Sequence, residues 1–536
     1  MLELAGRAPA VEPAVVRKPK APPALWVLAS LVVLPAAIPI FYLVWVVVRP
    51  GGFDAGGFST GRLLQLAGST GLLTVTVTAT TVVLGLATAW LTTRTNLRGA
   101  GVWSTLATLP LVIPSYVGAM AMLGASGNNG ALTLLLREVG LPGLPVFQGF
   151  WPSWAALSLW NFSFVHLLTV PVLRRLDPAL EEASRGLGAS RWRTLRTIVI
   201  PQLRPALASS GLLVSLYVLS EFGAVSMLRY ETFTRAIYTQ FAGRIDPGPA
   251  LYLAGILSTG ALVVVVVQQW VRGRATLHST RPIRRVKLNR LGLWGHIAAH
   301  GFLGAIVGMS LILPMATLLW WTIRGMALGN SPLSVIPHTV RSVTISLAAA
   351  VVIGVAAIPL GALSARFRGR RARALEAIPW LTYSLPHIAV GLAFLVLTVR
   401  IARPIYQTVI LLVVVYLAMF LPLALAAVES GMRRIGPGLE EVSRSLGVGS
   451  WSTIRRVTIP LMRSSVLAGG ALAFLSVMKE LPATLLLRPT GFDTLPVRVW
   501  SATTELFYTQ GSFAALALVA VSAVPLYLFV VRDIHE

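Results

Sequence analysis

The chain has 536 residues, of which 55% are hydrophobic and only 12% are charged, and its mean hydropathy is +0.75. This composition excludes an ordinary soluble domain and is typical of a protein that crosses a membrane several times. A net charge of +26 would suggest nucleic-acid binding in a soluble protein, but in a membrane protein the positions of the charges decide their meaning. The absence of cysteine excludes disulfides and thiolate metal sites.

A helix needs roughly 20 apolar residues to cross a bilayer, and about twelve runs of that kind occur. We therefore predict an all-α polytopic membrane protein with about 12 transmembrane helices. Prolines 110, 114, 379 and 386 should kink or interrupt the third and ninth spans. The predicted spans lie near 25–48, 71–93, 101–124, 150–172, 205–228, 247–271, 294–322, 341–365, 375–398, 404–428, 464–487 and 511–531.

The first apolar run is too long for a signal peptide and has no convincing cleavage site, so we interpret it as a retained helix. It follows a basic tail at residues 1–23. In a twelve-span topology, 32 of the 45 Lys and Arg residues fall on one side of the membrane. The positive-inside rule makes that side the cytoplasm and places both termini there. For any single arginine, anchoring beside anionic membrane lipid is the simplest interpretation, and nucleic acid is not an expected partner.

The sequence contains a duplication, because residues 173–205 align without a gap with residues 432–464. At the same offset of 259, Glu221 falls on Glu480 and Arg229 falls on Arg488. The repeat predicts two homologous six-helix halves in the same orientation, related by a pseudo-twofold axis along the membrane normal. The expected units are the tail, a first repeat at 24–271, a basic cytoplasmic linker at 272–293 and a second repeat at 294–536.

Each duplicated segment predicts two short helices that are joined at a glycine and protrude from the cytoplasmic face. In the first copy, one helix begins at Pro178 and ends at Gly188, and a second is limited by Pro201 and Pro205 before the next span. The second copy has its joining glycine at Gly447. A carboxylate pair stands in each copy, Glu181 with Glu182 and Glu440 with Glu441. These carboxylates could form ion pairs inside the loop, or one of each pair could meet an arginine on a partner protein.

Both segments resemble the EAA loop of binding-protein-dependent ABC import permeases. That motif reads E-A-A, three residues, G, nine residues, I, one residue, L-P, and its spacing is met in full. The motif positions are Glu182, Ala183, Ser184, Gly188, Ile198, Ile200 and Pro201 in the first copy and Glu441, Val442, Ser443, Gly447, Val457, Ile459 and Pro460 in the second.

The resemblance implies the type I ABC importer permease fold in a bacterial cytoplasmic (inner) membrane. In that family the loop is a coupling helix, which docks on the nucleotide-binding subunit and transmits closure of the ATPase dimer to the membrane helices. It implies an ABC ATPase dimer on the cytoplasmic side and a substrate-binding protein on the other side. ATP and Mg²⁺ belong to the ATPase, and we expect no cofactor on this chain. Consistent with this, no lysine is followed by Ser or Thr, which a phosphate-binding P-loop requires.

Charged groups inside spans are candidates for lining a transport pathway, and here these are Glu221, Lys479 and Glu480. The alternative is that they lie near the outer ends of their spans and stabilise packing. The histidines in or near spans lack neighbouring carboxylates in the sequence, so packing or hydrogen bonding is a better interpretation than metal binding. They are His166, His296, His300 and His387.

A narrower resemblance concerns the cargo. Residues 220–238 and 479–500 resemble the equivalent parts of fused, two-repeat ferric-iron permeases. Ferric iron is therefore the expected substrate, and thiamine, sulfate, polyamines and phosphonates stay open. Small anions that accompany iron would give Arg229 and Arg488 a part at the outer mouth.

Two other function classes compete with an importer. A proton-coupled secondary transporter would use Glu221 and Glu480 as proton carriers, but it has no use for paired docking loops. A membrane enzyme would need a convergent cluster of His, Asp or Glu, which the sparse carboxylates do not supply.

Overall fold

The computed structural model describes residues 21–48, 58–176, 178–272, 288–367, 369–435 and 442–526, except 444, 448–451 and 453. Most of the predicted tail and linker, and the carboxylates Glu440 and Glu441, lie outside the described residues. Where the structure is described, the regular elements are helices, together with one parallel β-bridge between Thr95 and Asn289.

The described helices of the first half follow one another in chain order. A 3₁₀ turn at Leu109–Val112 follows α3, and a π turn at Leu195–Val199 precedes α9. The helices are α1 (Pro23–Val48), α2 (Thr60–Arg94), α3 (Ala100–Thr108), α4 (Ser115–Ala125), α5 (Ala131–Glu138), α6 (Phe150–Arg175), α7 (Pro178–Gly186), α8 (Arg191–Thr194), α9 (Ile200–Ser220), α10 (Gly223–Met227), α11 (Phe233–Gly243) and α12 (Gly248–Arg272).

The second half repeats this order. It has π turns at Gly308–Ile312 and Ile454–Thr458 and 3₁₀ turns at Pro332–Val335 and Arg403–Ile405. Its further described helices are α13 (Leu293–Val307), α14 (Leu313–Ala327), α15 (Ile336–Arg366), α16 (Arg370–Tyr383), α17 (His387–Ile401), α18 (Val409–Ile435), α19 (Ile459–Met478), α20 (Pro482–Leu487), α21 (Leu495–Thr504) and α22 (Tyr508–Leu526).

Ten stretches of the described chain are long and apolar enough to cross a membrane, and two bent helix pairs bring the number to as many as twelve. The bent pairs are Ala100–Val112 with Ser115–Ala125, at 91°, and Arg370–Tyr383 with His387–Ile401, at 104°. Each bend lies just before a proline, Pro114 or Pro386. The predicted interruption of the third and ninth spans is therefore confirmed.

Two details of the predicted spans were wrong. Helix α2 begins at Thr60 rather than near 71, where the side chain of Ser59 caps it by accepting the N–H of Arg62. The spans expected near 205–228 and 464–487 end at Ser220 and Met478, and the short helices α10 and α20 follow after a break. The carboxylate of Glu221 lies at the first of these breaks and accepts the N–H of Ala224 at 2.8 Å.

Helix α2 defines two faces of the molecule. Its 35 residues span about 52 Å at 1.5 Å per residue, enough to cross a bilayer. We call its two ends the Arg62 face and the Arg94 face. Arg62 pairs with Glu231 at 2.8 Å, whereas the carbonyl of Arg94 accepts a hydrogen bond from the N–H of Asn289 at 2.8 Å. The start of the second half therefore lies at the Arg94 face.

The two halves exchange their first membrane helices. Helix α1 packs against α15, α16 and α18 of the second half, and the hydroxyl of Thr382 donates to the carbonyl of Ala36. In return, α14 packs against α4, where the indole N–H of Trp321 donates to the carbonyl of Gly124 at 2.8 Å. Because each half covers a surface of the other, the pair forms one bundle.

Inside each half, a glycine allows close packing between the corresponding pair of helices, although the two glycines are not at aligned positions of the repeat. A Cβ atom on Gly85 of α2 would lie 2.5 Å from the Cβ of Val165 of α6. A Cβ on Gly361 of α15 would lie 2.6 Å from Val428 of α18. Small residues at helix contacts are the usual basis of packing in membranes, where the lipid is as apolar as the helix.

We expect Gly85→Val to destabilise the protein by about 1–3 kcal/mol, because the added atoms overlap Val165 and the backbone of α6. The measurement is thermal unfolding in detergent. Gly71→Val is the matched control, since it lies on the same helix and a Cβ added there would have nothing within 4 Å. Equal melting temperatures for the two variants would show that the close approach does not limit stability.

Candidate functional site

The first candidate site is the surface loop at the Arg94 face that joins α6 to α9. Helix α7 ends as the sequence predicts, with Gly188 in the left-handed region at φ +83°. The N–H of Gly188 donates to the carbonyl of Arg185 at 3.0 Å, and the N–H of Ala189 donates to that of Ser184 at 3.1 Å. This glycine-dependent turn raises Leu187 into solvent, where its side chain is 90% exposed.

The two carboxylates of this loop have different surroundings. Glu181 forms an ion pair with Arg94 at the end of α2, and the Arg94 side chain is only 2% exposed. Glu182 and the following Ala183 are exposed. Thus Glu181 attaches the loop to the membrane helices, while Glu182 is available to another molecule.

The second loop shows the same turn in its described part. Gly447 has φ +80°, and the N–H of Leu446 donates to the carbonyl of Val442 at 3.1 Å. Leu446 is 76% exposed and Val442 is 57% exposed. An apolar side chain therefore protrudes immediately before the glycine in both halves.

The first loop leads into its membrane helix without a stop. The prediction that Pro201 and Pro205 limit the second short helix was wrong, since one helical stretch, Trp192–Ser220, passes through both. A proline ring collides with the carbonyl four residues earlier in a regular α-helix. Here that carbonyl, of Thr197, belongs to the wider π turn at Leu195–Val199. Pro460 stands in the same relation to the π turn at Ile454–Thr458.

A second candidate site lies inside the bundle, around the glutamates after α9 and α19. Glu221 is 7% exposed, and one of its carboxylate oxygens accepts the N–H of Ala224 at 2.8 Å. The other oxygen accepts the hydroxyl of Ser115 at 2.8 Å, and that hydroxyl accepts a bond from Tyr217 at 3.1 Å. Since Ser115 follows Pro114, Glu221 connects the bend between α3 and α4 to the start of α10.

Glu480 makes the equivalent connection in the second half. It is 4% exposed and accepts the N–H of Ala483 at 3.0 Å on one oxygen. Its other oxygen lies 2.7 Å from Nδ1 of His387, the residue after Pro386. The hydrogen-bond geometry is therefore duplicated, but a serine in one half is replaced by a histidine in the other. These contacts stabilise packing, and a direct role of either carboxylate in transport stays a prediction.

Lys479 lies where the two halves meet. Its ammonium group donates to the carbonyl of Leu111 at 2.7 Å, and its own carbonyl accepts the hydroxyl of Tyr116 at 3.3 Å. Both partners belong to the first half, one on each side of the bend at Pro114. Although Lys479 and Glu480 are adjacent in sequence, these contacts direct the lysine across the interface and the glutamate into its own half.

The two arginines proposed for the outer mouth are not equivalent. Arg488 forms an ion pair with Asp493, which neutralises it locally. Arg229 is exposed and has a left-handed backbone at φ +55°, which is uncommon for a residue with a side chain. The position corresponding to Asp493 in the first half is Thr234, so the duplication did not keep the pairing carboxylate.

Three of the four histidines named from the sequence form hydrogen bonds, and His387 does so with the carboxylate of Glu480, which is distant in sequence. His166 is fully buried and lies 3.0 Å from the hydroxyl of Thr88 and 3.1 Å from that of Ser104. His300 accepts the indole N–H of Trp103 at 3.0 Å. Within the part of the chain that the structure describes, no group of three His, Asp or Glu residues could hold a metal ion.

The contacts of three residues in these sites were not predicted from the sequence. Ser115 and His387 are first-turn residues of broken helices, and Arg94 anchors the first loop. A signal was present for all three, because the offset that aligns Pro114 with Pro386 also aligns Ser115 with His387 and Arg94 with Arg366. What could not be predicted was that these repeated positions face the repeated glutamates.

Comparison with known proteins agrees with this arrangement. Residues 81–276 and 357–532 each match the family described as binding-protein-dependent transport system inner membrane component. The two matches together cover more than half of the chain, and each includes one protruding loop and one buried glutamate.

Similar proteins include the Fe(3+)-transport system permease protein FbpB 2 of Haemophilus influenzae, which is 30% identical over 95% of this chain and 98% of its own length. The ferric transport system permease protein FbpB of Actinobacillus pleuropneumoniae is 25% identical over 80% of this chain and 65% of its own. The sulfate transport system permease protein CysT of Escherichia coli is 32% identical over 27% of this chain and 50% of its own.

Members of this family are transport components rather than enzymes, and the apolar helices make this one a multi-pass membrane protein. The chain belongs to the binding-protein-dependent inner-membrane permeases, as a fused form that contains the family's domain twice.

Proposed function

We propose that this permease forms the pathway of an ATP-driven ferric-iron importer and couples to a separate ATPase through its two protruding loops. The proposal rests on the two protruding loops around Gly188 and Gly447, which we call the knobs. Leu187 and Leu446 are exposed there, each beside a left-handed glycine. Exposed apolar side chains at equivalent positions of two repeats are suited to a partner that itself has two equivalent sites. A dimeric ATPase, which would carry the ATP and Mg²⁺, meets that requirement.

Docking of the ATPase on the knobs would fix the orientation of the permease in the membrane. The Arg94 face would be cytoplasmic, as the distribution of Lys and Arg predicts. Both termini would then lie in the cytoplasm, and a substrate-binding protein would approach the Arg62 face.

A movement of the first knob would be transmitted to the helix bundle through direct contacts. The first knob is attached to α2 through the ion pair of Glu181 with Arg94, and it continues through the π turn into α9. At its far end α9 meets Glu221, which holds the bend between α3 and α4 through Ser115. A shift of the knob would therefore move the broken helices that lie between the two halves.

Ferric iron as cargo is supported by the names of two relatives, one of which aligns along nearly the whole chain. Thiamine, sulfate, polyamine or phosphonate transport by the same mechanism is the alternative, and a sulfate permease is among the shorter matches. Exposed Arg229 is better placed than Arg488 to meet an anion that accompanies iron, because Asp493 already neutralises Arg488. A proton-coupled secondary transporter is disfavoured, because neither the family nor the paired knobs fit it.

We expect Leu187→Glu combined with Leu446→Glu to abolish co-purification of the ATPase, because two charges would replace the apolar contacts of the knobs. The measurement is the ATPase-to-permease ratio after affinity purification. Val139→Glu is the matched control, since Val139 is 71% exposed and follows α5, in the connection at the Arg62 face. Unchanged co-purification of the double variant would overturn docking at these loops.

Glu181 and Glu182 should respond differently to substitution. Glu181→Gln should lower the stability of the permease, because it leaves the buried Arg94 guanidinium without its counter-ion. Glu182→Arg should leave stability unchanged and reduce transport-coupled ATPase activity, because its side chain is exposed. Melting temperature and ATPase rate are measured for both variants, and the reverse pattern would contradict the assigned roles.

The cargo is tested in proteoliposomes that contain the permease, its ATPase and its binding protein. We expect ferric-loaded binding protein to stimulate ATP hydrolysis, while the empty and thiamine-loaded forms do not. Glu182→Arg with Glu441→Arg should remove the stimulation if both loops transmit it. Stimulation by another cargo would keep the importer and exclude iron.

A further inference from the structure

We propose that Lys479 is a one-sided latch, which holds the two halves together at the helix break of the first half and is released when the pathway opens. The proposal rests on the proposed function only in requiring that the halves separate during transport. The contact that it names is between the ammonium group of Lys479 and the carbonyl of Leu111.

The helix break at Pro114 leaves the carbonyl of Leu111 as a hydrogen-bond acceptor. Leu111 lies in the 3₁₀ turn at Leu109–Val112, where the carbonyl of one residue normally accepts the N–H of the third residue after it. For Leu111 that residue is Pro114, which has no N–H. A carbonyl left without a partner inside a membrane protein is costly, and the ammonium of Lys479, at 2.7 Å, supplies the missing donor from the other half.

The surrounding contacts make this a joint between the halves. The hydroxyl of Tyr116, just beyond the break, donates back to the carbonyl of Lys479 at 3.3 Å. Leu481 packs against Gly223, where an added Cβ would lie 3.1 Å from the leucine side chain. Residues 479–481 of the second half therefore contact both α4 and α10 of the first half.

The latch exists on one side only. The position equivalent to Lys479 in the first half is Ser220, whose side chain is too short to make the same reach. The glutamates that follow, Glu221 and Glu480, keep the same backbone contact in both halves, so the chain follows the same course there while the residue before each glutamate differs. The difference between Lys479 and Ser220 fits a fused chain in which a single latch joins the two halves.

The latch can be tested on the full-length chain, which has no native cysteine, by introducing Leu481→Cys as a reporter. Leu481 is 1% exposed and lies at the joint, so a maleimide labels it only when the halves separate. The rate is measured in nanodiscs without nucleotide or cargo. Adding Lys479→Met should make labelling about tenfold faster, because a hydrogen bond from a charged donor is lost.

Two further variants in the same reporter background serve as controls. Lys479→Arg keeps a charged donor and should label at nearly the parent rate. Ser220→Met changes the equivalent position of the first half, and it should also leave the rate unchanged. A Lys479→Met rate equal to the parent's, or equal acceleration by Ser220→Met, would overturn the latch.

If Lys479→Met does not yield folded protein, Tyr116→Phe carries the test. It removes only the returning hydrogen bond and should accelerate labelling by about threefold. A parent-like rate for this variant would then overturn the proposal. Because the measurement uses neither cargo nor ATPase, its result is independent of whether the substrate is iron.

Discussion

Every backbone N–H and C=O inside a membrane protein needs a hydrogen-bond partner, and this requirement controls the centre of the permease. The prolines at 114 and 386 break two helices and remove donors there, while the short helices α10 and α20 begin with unpaired N–H groups. Buried Glu221 and Glu480 accept those N–H groups and at the same time bond to the first residue of a broken helix. The charged residues of the spans are therefore explained first by the breaks beside them.

The duplication preserves this geometry and varies the chemistry around it. Ser115 in one half corresponds to His387 in the other, although both reach the same carboxylate oxygen of their glutamate. Lys479 corresponds to Ser220, and Asp493 corresponds to Thr234. A fused chain can diverge in this way because its two halves always meet in the same arrangement, whereas identical subunits must carry every change on both sides.

The same arrangement explains how a surface loop can influence the centre. Each knob has a left-handed glycine at its turn, and a π turn precedes the membrane helix that follows it. The exchange of α1 and α14 between the halves joins them on one side, and the contacts of Lys479 join them again near the helix break of the first half. The motion that we propose for the knobs would reach the interface where Lys479 lies.

The sequence by itself determined the class of the protein, the twofold repeat, the kinks at the prolines and the protruding loops, because each follows from hydropathy, spacing or a local backbone preference. It did not determine that α9 passes through Pro201, since a π turn depends on how the chain enters the bundle. It also left open which of Glu181 and Glu182 faces inward and what the buried glutamates contact. Only the tertiary structure decided these points, because Arg94, Ser115, His387 and Leu111 are brought to their partners by helix packing across 87 to 368 residues of sequence.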